Sequence, residues 1–358
     1  MLHETQKAVR VSSSFLQKQL VHLHMQVLYN CNFRCKICHF WKNAYDRPKR
    51  MTLANARIIA AKLEQLGPLM ICLSGGEPLI HKNLFDIAQL FSKNNYISLV
   101  TNGWLMTPEK SRSLFASGIQ HVAVSLDYAD PKKHDELRGK SGAYHRAVNA
   151  LRYLQENRTR AHQRVHMITV VMDDNLEEIE PLIVLANKLN VTYLVNMYSS
   201  CRGKKENKTV GDVSEHLMGL RRKYRNFVST SGYLAQFSRA ARSQEGIKPC
   251  YAGKNLFNID SQGNVGLCLD RLEEPVGNIL SEDVANLKNK LFDAFTHNNC
   301  GDCWTSCRGG VEPQMYGEHQ LLNLRQSYRI FRKSPLPPKA PGPQDIKIPA
   351  NVALSENK

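Results

Sequence analysis

The sequence predicts an α/β protein: a parallel sheet, closed as a barrel or open and doubly wound, followed by a smaller cysteine-bearing section. Three observations predict it. Apolar runs recur at 21–29, 69–73, 97–100, 120–126, 164–171 and 191–197, as buried strands do. Stretches of helical period lie between them, near 52–66, 83–94, 108–117, 142–156 and 175–189. After residue 201 the alternation stops, and five of the ten cysteines fall between 250 and 307.

Strands that alternate with helices pair in parallel through right-handed crossovers. Thr107-Pro108 and Asn175 stand where helices begin, and Gly67 and Gly118 where they end. Five segments follow: an N-terminal extension over 1–20, the strand–helix unit over 21–200, a basic helical linker over 201–249, a cysteine-bearing domain over 250–332, and a Pro-rich tail over 333–358 that should be disordered. Within the linker, helices are expected near 212–227 and 231–243. Asn255–Asp260 and Asn264–Leu267 read as two short strands around Ser261-Gln262-Gly263, a hairpin.

A chain of 358 residues has no shortage of core, and 42% hydrophobic with 22% charged residues is a globular composition. No apolar run is long enough to cross a bilayer and the start carries no apolar signal core, so the expected location is cytoplasmic. Ten cysteines are then poor disulfide candidates, and metal binding is the better reading. The formal net charge of +16 favours anionic partners. From Arg202 to Lys254 there are twelve Lys and Arg against four acids, so this stretch is expected to border the substrate's path. Nucleic acid is disfavoured because few aromatic side chains interleave with the charge.

Ligands of such a sheet gather at the C-terminal strand ends. The notable residues all fall there: Cys31, Cys35 and Cys38 after the first strand, Ser74-Gly75-Gly76-Glu77-Pro78 after the second, Thr101-Asn102-Gly103 after the third, Ser125-Leu126-Asp127 after the fourth, and Asn196 at the end of the sixth. Three thiolates on one short loop fall one short of a closed zinc site, but leave one iron of a [4Fe–4S] cube open. A zinc loop completed by a distant ligand such as His39 is the alternative. In the second set, Cys250, Cys268, Cys300 and Cys303 supply four thiolates, enough for one closed iron–sulfur cluster or one zinc, with Cys307 as a fifth candidate.

With Cys31-x3-Cys35-x2-Cys38 and the Gly-Gly-Glu-Pro segment in place, residues 20 to 310 resemble the radical S-adenosylmethionine superfamily. The Cys-x(9–15)-Gly-x4-Cys pattern of Cys250, Gly263 and Cys268 with a later CxxC resembles its SPASM and twitch auxiliary-cluster modules, the one-cluster twitch form fitting five cysteines better. The resemblance implies a partial (β/α)6 barrel with a small hairpin-plus-helix cluster domain. It implies a catalytic [4Fe–4S] cluster on Cys31, Cys35 and Cys38 whose open iron is chelated by S-adenosylmethionine. One-electron reduction, by a donor such as flavodoxin or ferredoxin, then yields a 5′-deoxyadenosyl radical that abstracts hydrogen from carbon. It further implies that Gly75, Gly76, Glu77, Pro78, Ser125, Asp127, Arg138 and Asn196 contact S-adenosylmethionine, Arg138 by pairing with its carboxylate. Ile37 departs from the aromatic residue many relatives carry before the third cysteine. An auxiliary [4Fe–4S] cluster on Cys250, Cys268, Cys300 and Cys303 is the expected second centre.

The expected function is a net oxidation or rearrangement of a small, anionic molecule. The alternatives are a maturase acting on a ribosomally made peptide, disfavoured by the short stretch before Cys31, and a non-catalytic metal-cluster protein binding nucleic acid.

Overall fold

The computed structural model describes residues 4–41, 50–199, 212–242 and 246–331. Cys201, the Lys-rich loop at 202–208 and the Pro-rich tail lie outside them. The chain begins with α1 (Glu4–Leu16) and β1 (His22–Leu28). The repeat then runs α2 (Leu53–Leu63), β2 (Met70–Gly75), α3 (Leu84–Ser92), β3 (Tyr96–Thr101), α4 (Pro108–Ala116) and β4 (His121–Ser125). It continues through α5 (Pro131–Arg138), α6 (Ala143–Glu156), β5 (Arg164–Val171), α7 (Ile179–Lys188) and β6 (Thr192–Met197). There follow α8 (Val213–Lys223), α9 (Ser231–Leu234), α10 (Phe237–Arg242), β7 (Leu256–Ile259), β8 (Asn264–Gly266) and β9 (Gly277–Asn278). The described chain ends with α11 (Val284–Thr296), α12 (Ser306–Gly309), α13 (Glu312–Tyr316) and α14 (Gln320–Phe331).

The strands form one sheet in the order β6-β5-β4-β3-β2-β1-β7-β8-β9. Its first seven members are mutually parallel, and β8 and β9 add antiparallel. The expected hairpin is present as β7 and β8. Its first strand also pairs with β1, so the cysteine-bearing section extends the sheet instead of standing apart from it.

Alternation decides which residues face the helices. Leu23 and Met25 on β1, Ile71 and Leu73 on β2, Ile97 and Leu99 on β3, and Val122 and Val124 on β4 are buried in one core with Ile59, Ile87, Phe91, Leu114 and Leu151 from the helices. The opposite face is polar. The register places Asn258 beside His24, His24 beside Cys72, Cys72 beside Ser98, and Ser98 beside His121. Buried Cys72 thus lies on this polar face and not in the main apolar core.

At the N-terminal end of the sheet, α1 and α13 close the inner face. Val11 and Phe15 of α1 meet Met315 and Tyr316 of α13 against Met70 and Tyr96. The N-terminal extension therefore contributes to the packing of the strand–helix unit.

Thr107 caps α4 as expected, accepting a hydrogen bond from Lys110 N at 3.2 Å with Pro108 in the first turn. Asn175 precedes a short 3-10 turn, but its side chain is used differently. It accepts from Met172 N at 2.8 Å and donates to Asp127 O at 3.1 Å and Val170 O at 2.8 Å, joining the ends of β4 and β5. The helix expected at 231–243 is instead two short ones. The Trp304 indole N–H donates to Tyr233 O at 2.9 Å, engaging a carbonyl that a continuous helix would use for its own ladder.

Residues 212–227 pack beside the last strand of the repeat. They cover the outer edge beside β6, where Tyr193 bridges to Phe227 and Asn226 donates to Ile183 O. Arg221 is bonded to Ser229 O, Arg222 to Glu215 and Lys223 to Glu180, so three cations of the basic run already have partners.

Three histidines held away from water, His134 buried and His22 and His121 half-buried, make the fold sensitive to mild acid. Burial lowers His22 to about 4 and His121 to about 3, and lowers His134 to about 4. In the unfolded chain they titrate near 6.5. Between those values the unfolded state binds more protons, so stability rises with pH and is lost as pH falls below about 6.5. Moving from pH 7.5 to 6.0 is expected to cost about 2 kcal/mol over the three, read as a lower denaturant midpoint.

Candidate active site and second cysteine centre

The Cys31–Cys38 loop leaves β1 and is held from three sides. From below, Gly76 N donates to Leu28 O and Glu77 N to Asn30 O, both at 2.9 Å. A Cβ on Gly75 would overlap Leu28 O and one on Gly76 would overlap Asn30 O. The glycines are therefore needed for the close approach of two backbones, β2's end against β1's.

Glu77 is buried, and its carboxylate accepts from Thr101 Oγ1 at 2.6 Å, Asn102 N at 2.8 Å and Leu79 N at 3.1 Å. Burial raises its pKa, and these three donors oppose the rise. Asn102 Nδ2 in turn donates to Asn32 Oδ1 at 2.9 Å, inside the cysteine loop. The Thr101-Asn102-Gly103 turn is thus part of the site, and Glu77 is its organiser. Pro78 starts the short turn that Glu77 caps.

The third support comes from α5. Lys36 N donates to Leu137 O at 2.9 Å, docking the loop on the C-terminal end of that helix. Arg138 follows, a buried guanidinium in contact with Cys35. Its Nε donates to Asp127 Oδ2 at 2.7 Å, and Nη2 reaches the same oxygen at 2.5 Å. Asp127 is fully buried, and its other oxygen accepts from Val170 N at 2.9 Å. Arg138 is therefore no solvated residue and Asp127 no helix cap. The pair joins β4, β5 and α5 behind the cysteine loop, and the fork expected for a cosubstrate carboxylate is turned to Asp127. Asp127 N donates to His134 Nδ1 at 3.2 Å, which requires that nitrogen to be unprotonated.

Cys35 is buried, with Cys31 and Cys38 half-buried. Burial pushes the Cys31 thiol up to about 12, and neighbouring Glu77, Cys35 and Cys38 push it the same way. Such thiols ionise when a cationic metal centre is their partner. Ile37 is buried with Phe33, Tyr128, Leu137, Met172 and Tyr198 in an apolar cluster around the loop. Ser125 closes β4 on the inner face, paired with Ile168.

The second cysteine set is assembled around a buried ion pair. Arg308 donates through Nε to Glu312 Oε1 at 2.7 Å and through Nη2 to Oε2 at 2.8 Å. It also donates to Cys303 O at 2.7 Å, Ile247 O at 2.9 Å and Pro249 O at 3.0 Å. One guanidinium thus ties the segment carrying Cys250 to the one carrying Cys303.

Burial pushes Cys250 up to about 11 and Cys303 up to about 12, and Cys268 well above its usual range. The thiols also act on one another: Cys300 on Cys250, and both Cys303 and Cys250 on Cys268. Arg308 opposes the rise at Cys250 and Cys303. Cys307 is buried beside Cys303, its sulfur 2.7 Å from Thr305 Oγ1. Among the described residues, no three His, Cys, Asp or Glu side chains close on a point as a single-ion site requires. A cube, whose thiolates each bind a different iron, accepts a wider set.

Asn196 Oδ1 accepts from Ser306 N at 2.7 Å, so it links β6 to the second cysteine section. Sequence reasoning did not identify Asn32, Asn175, Arg308 or Glu312 as parts of these sites, and it placed Thr101-Asn102-Gly103 at a strand end without giving that turn a role. A buried Arg–Glu pair spaced by four on a helical stretch carries no signal that distinguishes it from a surface pair.

Residues 25–186 match the family model "Radical SAM superfamily". The chain is 23% identical over 345 residues, 87% of its own length and 93% of the other, to an AdoMet-dependent heme synthase of Nitratidesulfovibrio vulgaris. A heme synthase of Methanosarcina barkeri is 32% identical over 44% of this chain, a stretch that is 45% of its own. The mycofactocin maturase MftC of Mycolicibacterium smegmatis is 25% identical over 80% of this chain and 77% of that one. Among solved structures, native anSMEcpe with bound AdoMet superposes with a TM-score of 0.61 at 16% identity, covering 87% of this chain and 96% of the other. This likeness establishes the fold.

Proposed function

From a chain that carries a radical SAM domain and is an enzyme of that superfamily, we propose that Cys31, Cys35 and Cys38 hold its catalytic [4Fe–4S] cluster and that Cys250, Cys268, Cys300 and Cys303 hold one auxiliary cluster. The single observation that carries this reading is the hydrogen-bonded unit of Glu77, Thr101, Asn102 and Asn32, which fixes the Gly-Gly-Glu-Pro turn to the cysteine loop. When bound, the first cluster supplies the electron that splits S-adenosylmethionine into methionine and a 5′-deoxyadenosyl radical able to take hydrogen from a carbon.

This chain's residues hold and shield that chemistry. Gly75 and Gly76 keep the turn close beneath the loop, and Pro78 fixes its exit. Ile37 and its apolar neighbours keep water from one side of the loop. Asp127 and Arg138 hold Cys35 from behind, leaving Ser125 on the inner face as the β4 residue exposed toward a cosubstrate. Asn196 holds the second cysteine section against β6, so its role at S-adenosylmethionine is secondary to that linkage. Cys307, bonded to Thr305, remains outside the four-thiolate set. The thiol-rich composition suits a reducing compartment, the cytoplasm.

The substrate is a small polar molecule or a peptide, and the reaction is a net oxidation or rearrangement. Anaerobic reconstitution, reduction with dithionite and addition of S-adenosylmethionine should give 5′-deoxyadenosine from protein holding about eight irons per chain. Full iron loading without 5′-deoxyadenosine would refute the reading.

A further inference from the structure

Beside the cysteine loop, cations gather around one indole at the surface. Trp104 is half-buried, and its backbone N–H donates to Asn102 Oδ1 at 3.0 Å, which ties it to the unit that Glu77 organises. The Lys140 ammonium stands 4.7 Å from the centre of the Trp104 ring and the Arg146 guanidinium 5.4 Å. Among the described residues, neither cation has an ion pair or a side-chain hydrogen bond.

Two further cations continue the patch. Arg34 is exposed, and its carbonyl lies so close to Gly139 that a Cβ there would come within 2.6 Å of it, which sets Arg34 beside Lys140. Its Nη1 donates to Cys31 O and Phe33 O, both at 3.2 Å. Exposed Lys36 is paired with Glu136 at 2.6 Å. The other nearby carboxylate, Asp135, accepts from Gly142 N and Tyr144 N at the start of α6. Four cations thus stand against two carboxylates that are both already engaged.

The indole also leads inward. Phe33 meets Trp104 edge-on, with ring centroids 5.8 Å apart. Phe33 is buried, and its N–H donates to Cys31 Sγ at 3.4 Å. A solvent-accessible indole is therefore two residue contacts from a sulfur of the loop.

We propose that this patch, Trp104 with Arg34, Lys36, Lys140 and Arg146, is the face on which an acidic one-electron carrier protein docks to reduce the centre on Cys31, Cys35 and Cys38. The inference rests on the reading under Proposed function and adds the partner's charge and its place. One electron leaves the carrier, which is oxidised, and enters the centre, which is reduced; no bond forms or breaks in that step. A small anion is bound in a concave site on which its partners converge. Here the cations are spread over a loop and the ends of two helices, at the outer surface. Encounters between electron carriers are small and guided by opposite charge, which such a patch supplies.

The test compares the reconstituted wild type with Lys140→Glu/Arg146→Glu and with a control of equal charge change, Arg222→Glu/Arg239→Glu, both exposed on the linker helices. The probes are an acidic flavodoxin and an acidic ferredoxin. Binding of the oxidised carriers, measured by calorimetry, needs no turnover. Wild type should bind at least one, more weakly as salt rises, and the patch variant should bind it at least about tenfold more weakly while the control stays within about twofold. Carbodiimide should join carboxylates of that carrier to Lys140 in wild type, as mapped by mass spectrometry. The rate of 5′-deoxyadenosine formation driven by the reduced carrier should fall in the patch variant at least about tenfold, with the rate at saturating dithionite unchanged.

Failure of both carriers to bind wild type, equal weakening in the control, or cross-links that avoid Lys36 and Lys140 overturns the docking face. So does a dithionite-driven rate that falls as far as the carrier-driven one, because the cations then serve the reaction itself. An oligothymidylate bound more tightly than either carrier would reassign the face to nucleic acid. If wild type makes no 5′-deoxyadenosine with dithionite, the underlying reading fails; if it does and the patch variant matches it with the carrier, the docking face alone fails.

Discussion

Replacing Cys35 by alanine is expected to lower iron from about eight to about four per chain and to abolish 5′-deoxyadenosine formation, a loss of at least about a thousandfold. A cube held by three thiolates has no spare protein ligand, so removing one leaves two irons of an already open centre without anchors. Cys35 is the member most tightly held by the fold: it is buried, with the Arg138 guanidinium against it and Asp127 behind. The surrounding structure does not depend on the sulfur, because Lys36 N to Leu137 O and Asn102 to Asn32 survive the change. The protein should therefore fold and retain the auxiliary iron. Cys72→Ser, a buried cysteine outside both sets, should retain all of the iron and controls for general thiol loss. Iron and sulfide analysis with single-turnover product measurement decides the matter; full iron in Cys35→Ala would remove this loop from cluster binding.

The largest expected effect on stability belongs to Arg308. Arg308→Leu should cost about 3–5 kcal/mol, because Glu312 is left as an uncompensated buried carboxylate. Three carbonyls, of Ile247, Pro249 and Cys303, lose their donor at the same time. Tyr251 N, at 3.1 Å from Glu312 Oε1, is too small a compensation. The double variant Arg308→Leu/Glu312→Leu should recover part of the loss, since it removes the stranded charge as well. Denaturant midpoints of wild type, single and double variants measure this. Iron in the single variant should fall toward about four per chain, because the arginine joins the two segments that carry Cys250 and Cys303. A double variant no better than the single would mean that the carbonyl ties, and not the charge, dominate.

The strand–helix alternation was readable because it is local. The spacing of apolar residues and caps such as Thr107 are set within a few positions, and the six parallel strands lie within a residue or two of their expected places, β2 reaching Gly75. That Cys31, Cys35 and Cys38 come together on one loop was equally readable, since their spacing is a short-range pattern. Long-range choices were not. Nothing in Leu256–Ile259 shows that it will pair with β1 some 230 residues earlier in the chain, because register partners are selected by the whole sheet. The same holds for Arg138, whose planar fork suits any carboxylate and which finds Asp127's. Val11 and Phe15, spaced by four, were a legible sign that the polar N-terminal stretch has one apolar face. The polar face within the sheet escaped because alternating His22, His24 and Gln26 look, in one dimension, like a strand wetted by solvent.

The pairing of β7 with β1 has a mechanical consequence. A module joined by a linker can swing, but a module whose first strand is hydrogen-bonded into the sheet moves only if four residue pairings, His22–Leu256 to Met25–Ile259, are broken. Asn196 and Ser306 add a second attachment on the far side. The interval across which an electron would tunnel between the two sulfur sets is thus fixed when the chain folds. If each set holds a cluster, any timing of electron transfer between them must come from what binds between them, and not from a hinge.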